Sequence, residues 1–536
     1  MANSQKGGID KSVKYDRQLR LWGDHGQAAL ELARVCLINA TAIGTEILKN
    51  LILPGTGSYT IVDGHKVQGE DIGNNFFLTK DALGKSRAKV AAELLAELNE
   101  DVSGDFMEEC PETLLQTNPS FFNTFTIVIA TNMCERTLLQ LASYLWEKGV
   151  PLLVCRSYGF IGYMRLVVGE HPVVESHPDS AHEDLRLDRP FTGLVELCDR
   201  INLDNMNKKE HSHIPWLIVL YKYIEEWKRT HNGEAPKNYR EKNQLKDLIR
   251  EGIRKTKEGV PEEEENFMEA IKSVNTALVP TQVPSTVRKL FEDEECLNLH
   301  QESKPFWILL KAVKMFVENE GQGLLPLRGT IPDMTADSKR YIELQQSYIE
   351  QAADDIAVVT EKLQDILQSI GRGCSISEQE IKTFCKNAGF LRLIRCRSLA
   401  EEFEPRTAKI QEIAAHIEDE EHSDVIFYIL LRAVDRFYEE YNHYPGWYDD
   451  QVEADVPKLK TCMNKLLHDM GLPPTIKDDY VHEICRYGAS EIHTVASYIG
   501  GAAAQEAIKI ISGQFVPINN TFIYNAMKQT SITVEL

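Results

Sequence analysis

The chain has 536 residues, 43% of them hydrophobic and 26% charged, which suits a globular protein of roughly two to four domains. Its net charge of −22 argues against duplex binding, which calls for a basic footprint. No apolar run reaches membrane-spanning length, residues 1–15 lack a signal-peptide core, and the eleven cysteines are scattered without a Cys-x-x-Cys pair, so reduced thiols in cytosol or nucleus are expected.

Residues 1–13 read as disordered. Residues 15–33 show helical spacing through Leu19, Trp22, Ala28, Leu30 and Leu32. Residues 35–40 read as a buried strand, 45–53 as a helix stopped at Pro54-Gly55, and 59–63 as a strand ending in Asp63. That is the opening βαβ unit of a nucleotide-binding sheet, with an acid where such folds hold a ribose hydroxyl. The turn, however, is wrong for phosphate. Asn39-Ala40-Thr41-Ala42-Ile43-Gly44 lacks the early glycines that let backbone approach phosphate oxygens. Only Gly44 remains, and helix–strand packing accounts for it.

A loop over 64–83 leads to an amphipathic helix, 85–98, with Val90, Leu94, Leu95 and Leu98 on one face. Residues 125–131 are continuously apolar, as in a parallel strand covered on both faces. A helix over 136–146 and strands over 151–155 and 163–168 follow, so the fold class is α/β with a Rossmann-like sheet. From about 170 the texture turns helical, clearest over 216–227, 305–317, 341–367 and 425–441. A small-residue helix, 495–511, and strands over 520–525 and 530–534 return to the sheet. The expected organisation is a first α/β part over 14–169, a helical insertion over 170–480, and a return over 481–536.

Other signals are weaker. The acidic runs 262–265, 292–295 and 418–421 read as solvated loops and helix ends before they read as a surface for a basic partner. Gly84-Lys85-Ser86 looks like the end of a P-loop, but Thr79 stands at the first glycine position and no strand precedes it. Among Cys198, Cys296, Cys374, Cys385, Cys396 and Cys462, Cys396 lies between Arg395 and Arg397, which could activate it; a buried structural thiol is the expectation. His482 and Cys485 have metal-like spacing without a second pair, so no metal site is expected. The aromatic run 437–447 reads as helix core followed by a turn at Pro445-Gly446. Asn39-Ala40-Thr41 and Asn519-Asn520-Thr521 fit the glycosylation pattern by chance, since both lie in core elements.

Three stretches carry a resemblance: Lys14-Tyr-Asp-Arg-Gln-Leu-Arg-Leu-Trp-Gly-Asp-His-Gly-Gln27, the unit over 35–63, and Gly500-Gly-Ala-Ala-Ala-Gln-Glu-Ala-Ile-Lys509. Together they resemble the adenylation fold of the ubiquitin-like modifier-activating enzymes and their bacterial MoeB/ThiF-type relatives. The insertion, at 325–338 and 477–488, resembles the regulatory subunits of the heterodimeric enzymes of the neddylation pathway. The family's chemistry is ATP-dependent adenylation of the modifier's C-terminal carboxylate, followed by transfer to a cysteine thiol. The resemblance implies that this half lacks the groups for it. The glycine turn is degraded at Asn39, Thr41 and Ala42. The family's nucleotide-contacting arginine is missing where its motif falls on Gly73-Asn74-Asn75. Its lysine falls on Arg87, which keeps charge but not shape. Its magnesium-positioning aspartate falls on Asn132. Asp63 alone stays in place.

The resemblance therefore implies no ATP or magnesium in this chain, both being bound by a catalytic partner subunit. It gives Arg17 a role in trans, reaching across a heterodimer to the partner's phosphates, where a cation offsets developing charge. By spacing alone Arg17 reads as a surface arginine paired with Asp16 or Asp24. The expected function is a regulatory subunit that pairs with a catalytic subunit and helps bind the modifier. The alternatives are a self-sufficient homodimeric adenylating enzyme, a dinucleotide-dependent oxidoreductase, and a protein-binding scaffold with no role in activation.

Overall fold

The computed structural model describes residues 11–179, 183–373, 376–419 and 423–536. Residues 1–10, Cys374 and the end of the third acidic run lie outside the described residues. The chain divides into a sheet-bearing unit, formed by residues up to Val173 and from Leu393 onward, and a helical unit, Val174–Arg392.

The sheet-bearing unit is built on eight strands: β1 (Arg34–Ile38), β2 (Ser58–Val62), β3 (Ser103–Met107), β4 (Ile127–Thr131), β5 (Leu152–Tyr158), β6 (Ile161–Val167), β7 (Thr521–Asn525) and β8 (Thr530–Val534). Their order is β8-β7-β6-β5-β4-β1-β2-β3. The strands from β3 across to β5 run parallel, while β5, β6, β7 and β8 pair antiparallel in turn. Period-two alternation divides the core. Val35, Leu37, Ile127, Ile129 and Leu153 face one side; Cys36, Ile38, Val128, Ala130 and Val154 face the other. Both faces are covered, which is why β1 and β4 are apolar almost throughout.

The longer helices of this unit are α1 (Asp16–Leu32), α2 (Ala42–Ile52), α3 (Arg87–Ala96), α4 (Glu135–Lys148), α5 (Ile426–Tyr441), α6 (Val452–Asp469), α7 (Asp478–Tyr487) and α8 (His493–Ser512). Helices α2, α3 and α8 cover the first face through Ile43, Ile47, Ala88, Ala91, Ala503 and Ala507. The second face is covered by α4, α5 and α6 through Leu141, Leu145, Leu431 and Leu466. Small residues bring α8 onto α2: a Cβ at Gly500 would lie 2.7 Å from the Cβ of Glu46 and 3.3 Å from the Ile47 nitrogen.

Three expectations need correction. The return to the sheet-bearing unit comes at Leu393, not 481, because α5 and α6 bury their apolar faces on the sheet. The independent helical unit is correspondingly shorter than 170–480. The second correction concerns α3, which buries Ala88, Ala91, Ala92 and Leu95, leaving Val90, Leu94 and Leu98 only partly covered. Small alanines let this helix lie close on the sheet, so its inner face is offset from its larger residues. Residues 11–14, within the stretch expected to be disordered, form a short helix.

The helical unit has its own core, centred on Trp216–Thr230, Glu265–Ala277 and the 32-residue helix Ser338–Ser369. Asp337 caps that long helix, accepting from the amides of Lys339 and Arg340 at 3.0 and 3.1 Å. The 325–338 stretch is anchored there: Leu327 and Ile331 are buried, and the Leu327 amide donates to Asp355 at 2.8 Å.

Candidate functional site

The site lies at the carboxyl ends of β1, β2 and β4, where open α/β sheets bind ligands. The 39–44 turn joins β1 to α2. Asn39 enters it with φ +67°, and its Nδ2 donates to the Thr131 carbonyl at 2.8 Å. The Ala40 amide donates to Asp63 Oδ2 at 2.8 Å. Thr41 caps α2, its hydroxyl accepting from the Gly44 amide at 3.2 Å and donating to Thr131 Oγ1 at 2.9 Å. The Ala42 amide donates to Glu491 Oε2 at 2.9 Å, and the Ile43 amide to Glu491 Oε1 at 3.4 Å. The amides of Ala42, Ile43 and Gly44, which a helix of this kind would offer to phosphate, are thus all engaged by side chains of this chain. A Cβ at Gly44 would lie 2.8 Å from the Asn39 carbonyl oxygen and 3.1 Å from Leu37, so this glycine serves helix–strand packing.

Asp63 is equally committed. It is fully buried, and its carboxylate accepts from the amides of Ala40 and His65 at 2.8 and 2.9 Å and from Arg87 Nε at 2.6 Å. Arg87 also reaches Asp71 at 3.3 Å. Burial works to raise the Asp63 carboxyl, but the hydrogen bond of His65 and the Arg87 charge outweigh it and hold the group at about 2. Arg87 begins α3 as an ion-pair partner of Asp63, with only 13% of its side chain exposed. Asn75 ties the turn from the other side: its Nδ2 donates to the Ala40 carbonyl at 3.1 Å, and its Oδ1 accepts from Thr45 and Phe77 at 3.0 Å each.

Asn132 follows β4 with φ +45°. It borders a small cavity on the second face of the sheet, lined also by Arg156, Tyr428, Arg432 and Asp435, and its Oδ1 has no hydrogen-bond partner. Around that cavity Arg156 pairs with Asp435 at 2.8 Å and Arg432 with Glu135 at 3.2 Å. Neither carboxylate stands free for a hard cation, and the residues present do not fit magnesium or ATP in the family's manner.

Arg17 lies elsewhere, in the first turn of α1, with 93% of its side chain exposed and Asp16 no nearer than 3.8 Å. Asp16 is held more tightly by Arg20, at 2.8 Å.

The other sequence signals resolve as structure. Ser86 caps α3, accepting from the Lys89 amide at 3.3 Å, so Gly84-Lys85-Ser86 is a helix start. Cys198, Cys296 and Cys385 are buried in the helical unit, where burial pushes their thiols up to about 12, 11 and 12. Cys396 and Cys462 are buried with raised thiols in the sheet-bearing unit, despite Arg165 beside the first. A buried, protonated thiol is a poor nucleophile. His482 pairs with Glu453 at 3.2 Å, while Cys485 is buried. Of the two glycosylation-pattern acceptors, Asn39 is buried, while Asn519 is half-buried with its Nδ2 donating to Glu535 at 3.0 Å.

Sequence reasoning missed Glu491. It stands 449 positions from Ala42, between α7 and α8, with no motif to mark it. It also missed Asn75 as the turn's clamp.

Residues 15–536 match the family model described as ThiF family. The protein named NEDD8-activating enzyme E1 regulatory subunit in Danio rerio is 58% identical over 527 residues, covering 98% of this chain and 99% of that one. Its namesakes in Drosophila melanogaster and Caenorhabditis elegans are 47% and 35% identical, each across 98% of this chain and 98% and 99% of their own. Among solved structures, E. coli MccB with succinimide overlaps 29% of this chain and 48% of its own at 18% identity, with a TM-score of 0.27. The chain belongs to the ThiF family and, within it, to the group of NEDD8-activating enzyme E1 regulatory subunits.

Proposed function

We propose that this chain is the half of a NEDD8-activating heterodimer that does not hold the nucleotide. Its catalytic partner binds ATP and magnesium, adenylates the modifier's C-terminal carboxylate, and carries the modifier as a thioester. This chain contributes a contact face, helps bind the modifier, and extends Arg17 to the partner's phosphates. The observation that carries the reading is the closed turn: the amides of Ala40, Ala42, Ile43 and Gly44 and the carboxylate of Asp63 are spent on one another and on Thr41, Glu491, Arg87 and His65. The exposure of Arg17 and its loose contact with Asp16 support a role outside its own fold. The buried thiols of the described insertion support leaving thioester chemistry to the partner. We place the complex in cytosol and nucleus, where thiols stay reduced.

The test is modifier-dependent ATP–pyrophosphate exchange by the purified chain, with and without the catalytic subunit. Exchange is expected only with both present. Robust exchange by the lone chain would overturn the proposal.

A further inference from the structure

The contact between Glu491 and α2 is more than a filled gap. A carboxylate spans the first two amides of an eleven-residue helix, where the helix dipole favours an anion. The segment that delivers it is built for the position. The Gly159 amide donates to the Ser490 carbonyl at 2.7 Å, clamping the segment to the β5–β6 turn. At Gly159 (φ +56°) a Cβ would fall 2.3 Å from the Tyr487 ring, and Ala489 adopts φ +60°. On the far side His493 Nδ1 lies 2.9 Å from the Asn74 carbonyl oxygen. The close approach of α8 to α2 at Gly500 then fixes the start of one helix beside the start of the other. A second observation lies in the same turn: Asn39 Oδ1, on a residue only 8% exposed, has no hydrogen-bond partner. A buried oxygen left without a donor suits a group that brings its own proton, as a monohydrogen phosphate would.

We propose that Glu491 is the built-in occupant of a latent oxyanion seat: its carboxylate stands in for a phosphate on the Ala42 and Ile43 amides, and removing it opens the seat to inorganic phosphate. The inference rests on reading 39–44 as a phosphate turn that has lost its glycines; it does not depend on the partner or on Arg17. It also changes what closes the site. Lost glycines alone would leave a poor seat open, whereas the Glu491 carboxyl, pushed up to about 7 by burial against the pull of the Ala42 and Ile43 amides, blocks an incoming phosphate by bulk at any pH and by charge once it ionises.

The experiment uses the full chain, wild type and Glu491→Ala, with labelled inorganic phosphate in equilibrium dialysis at constant ionic strength. Glu491→Ala is expected to bind one saturable equivalent, at least about tenfold tighter than wild type. Equal binding by both proteins, or no saturable binding by a folded Glu491→Ala, would overturn the inference. Glu491→Gln, which keeps the shape and loses the charge, covers the case in which the alanine variant does not fold. Hydrogen exchange at Ala42 and Ile43 is expected to rise in that variant; unchanged protection there would equally overturn the inference. No ATP chemistry enters these readouts, so their failure leaves the regulatory-subunit proposal standing, and failure of the exchange assay leaves this one.

Discussion

If Asp63 were kept for a ribose, it would be independent of Arg87; if it is a structural acid, the two are strongly coupled. Consider Asp63→Ala, Arg87→Ala and the double variant. The carboxyl is held at about 2 against an ordinary 3.8. At ~1.36 kcal/mol per pH unit, the ionised form is favoured in the fold by about 2.5 kcal/mol. Asp63→Ala loses this and strands the Arg87 guanidinium, 13% exposed, with Asp71 at 3.3 Å as its remaining carboxylate and His65 at 3.5 Å. Breaking a buried pair from one side costs about 3–5 kcal/mol, and the remaining Asp71 places this case toward the lower end. Arg87→Ala strands a carboxylate that still accepts from Ala40 and His65, so its cost is smaller, about 2–3 kcal/mol. The double variant strands neither group, and a coupling of about 2 kcal/mol is expected. A chain of two units is unsuited to a single unfolding midpoint, so the cycle is best read from hydrogen exchange of β1 and β2. Because the folded value lies below the unfolded one, the contribution is full above 3.8 and is lost as pH falls through about 2, so protection of these strands is expected to drop across that window. Additivity of the two variants within about 0.5 kcal/mol would refute the reasoning and free Asp63 for an outside ligand.

Arg17→Ala is expected to leave assembly and melting temperature unchanged, since the side chain is 93% exposed, while slowing adenylation by the complex roughly a hundredfold. Loss of assembly with undiminished adenylation in the remaining complex would count against it. Gly500→Val drives a branched side chain into α2 and should destabilise the sheet-bearing unit by about 1–3 kcal/mol, read from hydrogen exchange of α2 and β1. Gly501→Ala, which meets nothing within 4 Å, should be neutral or stabilising by up to about 1 kcal/mol; the same loss at both positions would refute the packing argument. Burial pushes Asp435 up to about 7 despite Arg156, while Glu135 adds to the rise and Arg432 opposes it. An acid raised in the fold makes stability fall as pH climbs from 3.8 to about 7, and Asp435→Asn should flatten that slope in the hydrogen-exchange protection of α5 and β5. An unchanged slope would place the dependence elsewhere.

What could be read in the sequence was local. The β1–α2–β2 unit announces itself by an apolar run, a turn and an acid-terminated strand within 30 residues, and a turn without early glycines can be judged for phosphate on its own chemistry. Gly44 was legible as packing because it sits where a helix crosses its own strand. What escaped was long-range. Ser490-Glu491-Ile492 has the look of any polar link between helices, and only the meeting of α8 with α2 gives Glu491 its partner. Arg87 kept the charge of the family's lysine, yet the fold spends it on Asp63. Helical periodicity at 425–441 identifies a helix but not the surface it covers, so the pattern alone assigns α5 to the insertion rather than to the sheet. The edge strand β3, Ser-Gly-Asp-Phe-Met, is exposed over its first three residues and lacks the apolar alternation that would reveal it.

The central claim is that this chain has closed its own nucleotide seat with its own side chains. The most direct measurement is equilibrium dialysis of labelled ATP with magnesium against the full chain alone and against its complex with the catalytic subunit. One saturable equivalent in the complex and none in the lone chain is the expected result. A saturable equivalent on the lone chain, abolished by Asp63→Ala in folded protein, would contradict it.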